Sequence, residues 1–174
     1  MPPDPDRHLT AEHWLKSAHR RPEAALQEWE RTGMALLPLG TRFSAVRLPS
    51  SLVFAVTGGD LPGSHVDQML EEVLEGGPVI CDPGGWRYYA LVPPSMPVTW
   101  HQAADEWRGD DVECLGRDCY LGVPRTDQTE RGPAASASYW SVPMQSAGRL
   151  CAPLAVARLI AAALHVLRGR DGQD

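Results

Sequence analysis

Short apolar runs broken by glycine and proline predict an α+β domain: a mostly antiparallel sheet of hairpins with helices packed on it. Three observations carry this reading. Brief β-type runs recur, among them Met34–Leu39 and Arg87–Val92. The turn Asp82-Pro83-Gly84-Gly85 separates two such runs and is hairpin chemistry. Near the C-terminus, Val156, Leu159, Ile160, Ala163, Leu164 and Leu167 recur at helical spacing and mark one long amphipathic helix.

Taken in order, residues 1–8 are Pro- and Asp-rich and read as a disordered arm, 9–168 as a single domain and 169–174 as a disordered tail. Thr10 is placed to cap a short helix carrying Trp14 and Leu15. Pro22 suits the first position of a second helix, with Ala25, Leu26 and Trp29 on one face and Gly33 as its stop. Met34–Leu39 and Arg42–Leu48 are expected to pair as a hairpin around Gly40-Thr41. Leu52–Val56 is compatible with helix or strand. Ser64 is expected to cap a helix bearing Val66, Met69, Leu70, Val73 and Leu74, ended by Gly76-Gly77 and Pro78. Val79–Cys81 and Arg87–Val92 form a hairpin, and Val98–Trp107 forms a helix. Val112–Leu115 and Cys119–Val123 are expected to form another hairpin. Arg125–Ala137 is a polar loop, and Ser138–Val142 is a last strand before the long helix.

The 174 residues, 43% hydrophobic, suffice for one sizeable core. No apolar run is long enough to cross a membrane, and Arg158 and His165 interrupt the longest, Ala152–Leu167. The N-terminus has no apolar stretch of the signal-peptide kind, so a cytoplasmic protein is expected, with no membrane partner. A net charge of −6 opposes a strong electrostatic grip on DNA. Lys16 is the only lysine, so the remaining fixed side-chain cations are arginines, which suit bidentate phosphate or carboxylate contacts. Cys81, Cys114, Cys119 and Cys151 are read as reduced. Their spacing with the histidines fits no zinc pattern, and neither a metal nor a cofactor is expected.

Several blocks occur in a telling order: Gly33 and Pro38 bounding an apolar run, Gly84-Gly85-Trp86-Arg87-Tyr88-Tyr89, Tyr120–Pro124, and Tyr139-Trp140. Over roughly Ala24–Trp140 this order resembles the primase-polymerase domains of the archaeo-eukaryotic primase superfamily. It is also similar to small actinobacterial proteins that keep those strands. The resemblance implies a sheet scaffold with two metal ions on an Asp-x-Asp pair and a histidine after the Gly-Gly turn that reaches nucleotide phosphates. Here Arg87 stands at the histidine position, Tyr139 and Trp140 are adjacent, and no Asp-x-Asp occurs within Ala24–Trp140. Asp110-Asp111 would point to opposite faces of a strand. Two-metal phosphoryl transfer needs converging carboxylates. What the resemblance implies is therefore a catalytically degenerate scaffold, a pseudoenzyme.

Four sets of residues can carry function. Arg87, Arg117 and Arg125, with the amides of Gly84 and Gly85, can hold a phosphate, or can be solvated strand-edge residues. Trp86, Tyr88, Tyr89 and Tyr120 can stack nucleobases, although alternation sends Tyr88 and Tyr89 to opposite faces, with one of them in the core. Cys81 can be a nucleophile if His65 or His101 folds against it, or a buried strand end beside a turn capped by Asp82. Trp14, Trp100 and Trp107 can anchor an interface, or can pack onto their own domain.

The favoured reading is a non-catalytic, protein-binding regulatory or accessory module. The alternatives are a nucleotide or single-stranded nucleic-acid binder without turnover, and an enzyme of unrelated chemistry using Cys81 or His101. A positive cleft around Arg87 would favour the second, and a Cys–His contact the third. The partner's identity and the oligomeric state are open at this level.

Overall fold

A computed structural model describes residues 5–134 and 136–173. In chain order the elements are α1 (Pro5–Lys16), α2 (Pro22–Thr32), β1 (Met34–Pro38), β2 (Ser44–Pro49), α3 (Ser50–Thr57), α4 (Ser64–Val73), β3 (Val79–Asp82), β4 (Arg87–Val92), α5 (Met96–Thr99), α6 (His101–Trp107), β5 (Glu113–Leu115), β6 (Tyr120–Pro124), β7 (Tyr139–Val142) and α7 (Pro153–Asp171). The coarse class is α+β with two antiparallel sheets.

Local chemistry sets many boundaries as the sequence implies. Pro22 opens α2, and Gly33, left-handed at φ 78°, closes it by donating its N–H to the Trp29 carbonyl. The ambiguous Leu52–Val56 run is helical. The helix containing it, α3, starts at Ser50 directly after Pro49 and is capped by Gly58, left-handed at φ 76°. At the N-terminus the outcome differs. α1 takes in Pro5–His8, which the arm was expected to include, and Thr10 lies inside the helix, donating its hydroxyl to the Arg7 carbonyl at 3.0 Å. Met1–Asp4 lie outside the described residues. α7 likewise continues to Asp171, past the expected end of the domain at 168.

The main sheet has the order β5-β2-β4-β3-β7 and a second sheet pairs β1 with β6, every pairing being antiparallel. The β3–β4 hairpin is present as expected, with Cys81 opposite Tyr88 and Asp82 opposite Arg87. The two other expected hairpins are not. β1 pairs with β6 rather than β2, and β5 pairs with β2 rather than β6. The cause lies in the connections. At Gly40 (φ 97°) the backbone turns back, its N–H donating to the Phe43 carbonyl. A Cβ there would sit 2.8 Å from the Arg117 nitrogen, so the β1–β2 and β5–β6 turns cross in contact and each hands its second strand to the other sheet.

This exchange gives the main sheet cover on both faces. Val46, Leu48, Val79, Cys81, Tyr88, Ala90, Val92, Tyr139 and Val142 face a core shared with α3, α4 and α7. Ala45, Ile80, Leu91 and Trp140 face a second core with α1, α2 and the β1–β6 pair. Strand alternation thus sorts one sheet into two apolar faces. On α7, Val156, Leu159, Ile160 and Ala163 are buried, whereas Leu164 and Leu167 are only half-buried. Among the described residues no helix is long and apolar enough to cross a membrane.

Candidate functional site

At the Asp82 end of the sheet the β3–β4 turn is self-contained. Asp82 Oδ1 accepts the Gly85 N–H at 3.1 Å, so that amide is already occupied. A Cβ on Gly85 would collide with the Asp82 carboxylate, so any larger residue there has to displace that side chain. Trp86 adopts φ 54°, unusual for a bulky residue, and is 55% exposed, while its carbonyl accepts the Ser50 N–H. Gly84 is exposed beside Ser136.

Arg87, half-buried, opens β4 and shares a strand face with half-buried Tyr89. Tyr89 lies directly across from Arg47, which in turn lies across from Glu113 and pairs with it at 2.7 Å. Burial raises the Tyr89 phenol above its usual range and Asp82 adds to this, while Arg47 and Arg87 oppose it. Arg47 is the residue that sequence reasoning missed. Its signal was a lone cation within an apolar strand.

The three candidate arginines do not converge. Arg117 lies beside Gly40 and the Pro94–Thr99 turn, where β4 ends, whereas Arg87 begins that strand. Arg125 follows β6 and pairs with its neighbour Asp127 at 3.3 Å, both side chains being half exposed or more. The aromatic set also divides. Tyr88 is fully buried, Tyr89 half-buried, and Tyr120 is exposed on β6.

On the opposite face a polar cluster sits within the core. Cys81 on β3 is flanked by Tyr88 on β4 and Tyr139 on β7. Asp67 of α4 accepts hydrogen bonds from the Tyr139 hydroxyl at 3.2 Å and from the Ser141 hydroxyl. Burial pushes the Asp67 carboxyl up to about 6, and the two hydroxyls offset part of this. Burial likewise pushes the Cys81 thiol up to about 12 and raises both phenols. Tyr88 Oη has no nitrogen or oxygen partner among the described residues, and the neighbouring thiol is at most a weak acceptor. A nucleophilic cysteine needs a lowered pKa, the reverse of what this burial produces. His65 and His101 each bond a nearby backbone carbonyl, Thr57 and Val98 respectively, both at 3.0 Å. Among the described residues no group of three or more His, Cys, Asp or Glu side chains is placed to hold a metal ion.

The tryptophans separate by environment. Trp107 is 8% exposed and belongs to the core. It is therefore mostly buried rather than projecting from the surface as an interface anchor would, and only its edge reaches the groove between α6 and α7. Trp14 is half-buried against its own domain, 6.0 Å from the Phe43 ring and close to Gly148. Trp100 is half-buried and borders an open groove of about 610 Å³ between α6 and α7. The groove floor is apolar, with Ala103, Trp107, Ile160 and Leu164. Its α6 side carries Glu106 and Asp110, and its α7 side carries His165 and Arg168.

Comparison with protein-family models, with curated proteins and with solved structures returns no match.

Proposed function

We propose that this chain is a protein-binding regulatory or accessory module, built on a primase-polymerase-like scaffold without that family's metal-binding carboxylates. The observation supporting this reading most is the α6–α7 groove. It combines an apolar floor, a half-buried tryptophan at its border and charged rims. Desolvated aromatic anchors inside a polar rim are the features that dominate protein interfaces. The interface role expected of Trp100 falls on this surface, with Trp107 supporting it from beneath.

One observation favours a second reading, binding of a nucleotide or single-stranded nucleic acid. Arg47, Arg87 and Tyr89 share a face of the sheet. Against it, Glu113 already pairs with Arg47, Asp82 occupies the Gly85 amide, and the net charge is −6. Two substitutions separate the readings. Ala161→Glu places a charge at an exposed position of the groove and should abolish protein capture, with circular dichroism unchanged. Arg87→Ala should leave capture intact. Single-stranded DNA binding tighter than about micromolar at physiological salt, lost in Arg87→Ala, would replace the first reading with the second.

A further inference from the structure

α7 carries two apolar stripes. The first, with Val156, Leu159, Ile160 and Ala163, is buried in the domain. The second runs Leu154, Ala157, Ala161 and Leu164, spaced by three, four and three residues, and the charged Arg168 follows it one turn on. Leu154 is 52% exposed, Ala161 is exposed, and Ala157 and Leu164 are half-buried. A three-four repeat of small and leucine side chains on an open helix face is the pattern of a helix–helix seam. Its small residues permit close approach of another helix.

We propose that the occupant of this seam and groove is a second copy of the chain, forming a two-fold dimer. This rests on the protein-binding reading and names its partner. The argument is charge complementarity. Glu106 and Asp110 line the α6 side of the groove, and His165 and Arg168 line the α7 side. A two-fold axis lying along the groove sets the acidic side of each copy over the basic side of the other, with the apolar floors between them. The surface is therefore self-complementary, as an isologous interface requires. A partner of uniform charge would match one side and be repelled by the other. The net charge of −6 on each copy makes such local matching necessary, since two unpaired copies repel.

The test is sedimentation equilibrium across a concentration series at physiological salt. Native protein should show a monomer–dimer equilibrium. Arg168→Glu makes both sides acidic, and the pair Glu106→Arg with Asp110→Arg makes both sides basic. Each variant alone should dimerise at least about tenfold more weakly, because like charges then face each other. Mixed in equal amounts, the two variants should associate again as a one-to-one heterodimer. Ala161→Glu should be monomeric with unchanged circular dichroism. A monomeric native protein, or a dimer indifferent to Ala161→Glu, or charge variants that fail to associate on mixing, overturns the dimer. If native protein is monomeric while Ala161→Glu still abolishes capture of a different protein, the dimer falls and the binding reading stands. If position 161 affects neither, both fall.

Discussion

Asp67→Asn should change how stability depends on pH, and the structure gives the sign. The carboxyl is pushed up to about 6 from 3.8, burial being the largest cause. Between those values the native state binds a proton that the unfolded chain has released. The resulting stabilisation is complete below the unfolded value and is lost as pH rises through about 6. At roughly 1.36 kcal/mol per unit, integrating from pH 5 to pH 8 gives about 1.4 kcal/mol. Asp67 is only half-buried, and solvent screening reduces this to about 1 kcal/mol. Asparagine keeps the shape and an oxygen that can accept from Tyr139 and Ser141, but it cannot ionise. Thermal melting at the two pH values should therefore show the native protein losing more stability than Asp67→Asn on going to pH 8. A difference of about 2–4 °C in melting temperature is expected for a domain of this size. Subtracting the variant removes the histidines' shared contribution. A difference independent of pH, or one of opposite sign, would refute the reasoning.

Other outcomes follow from burial and close contact. Cys81 and Cys151 are buried with thiols pushed up to about 12, and Cys114 is half-buried and pushed up to about 11. Alkylation of native protein, read by peptide mass, should modify half-buried Cys119 well before Cys81 or Cys151, and early labelling of Cys81 would contradict its placement. Gly85→Ala should cost about 1–2 kcal/mol in urea unfolding, because its Cβ displaces Asp82 from the Gly85 N–H. An unchanged midpoint would mean that the turn relaxes freely. Trp107→Ala should cost about 3–5 kcal/mol as a core truncation, so an intact melting temperature would place Trp107 outside the core.

What the sequence revealed tracks how local each determinant is. The β3–β4 hairpin was legible because Asp82-Pro83-Gly84-Gly85 encodes its own turn, down to the carboxylate that holds the Gly85 amide. The ends of α2 were legible for the same reason, with proline opening it and left-handed glycine closing it. Strand pairing is not legible where it depends on a distant contact, as for β1 with β6 and β2 with β5. Nothing within Met34–Leu48 reveals that the Gly40 backbone must pass Arg117. Trp100 sits at the break between α5 and α6 and Trp107 ends α6, and only the packing of α7 decides that Trp107 is buried while Trp100 stays at the groove's border. Asp67 had a faint signal, since it precedes Leu70 and Leu74 at three-four spacing and so shares their buried side. Its partners Tyr139 and Ser141 lie more than seventy residues away in sequence, so the buried cluster emerges only with the sheet.

Photocrosslinking in the cell that makes the protein tests the central claim most directly. A photoreactive side chain replaces Ala161 in one sample and the exposed Trp86 in another, and adducts are identified by mass. Position 161 should yield adducts with protein, including a second copy of the chain, and position 86 should yield none. Nucleic-acid adducts from position 86, with no protein adduct from position 161, would contradict the account.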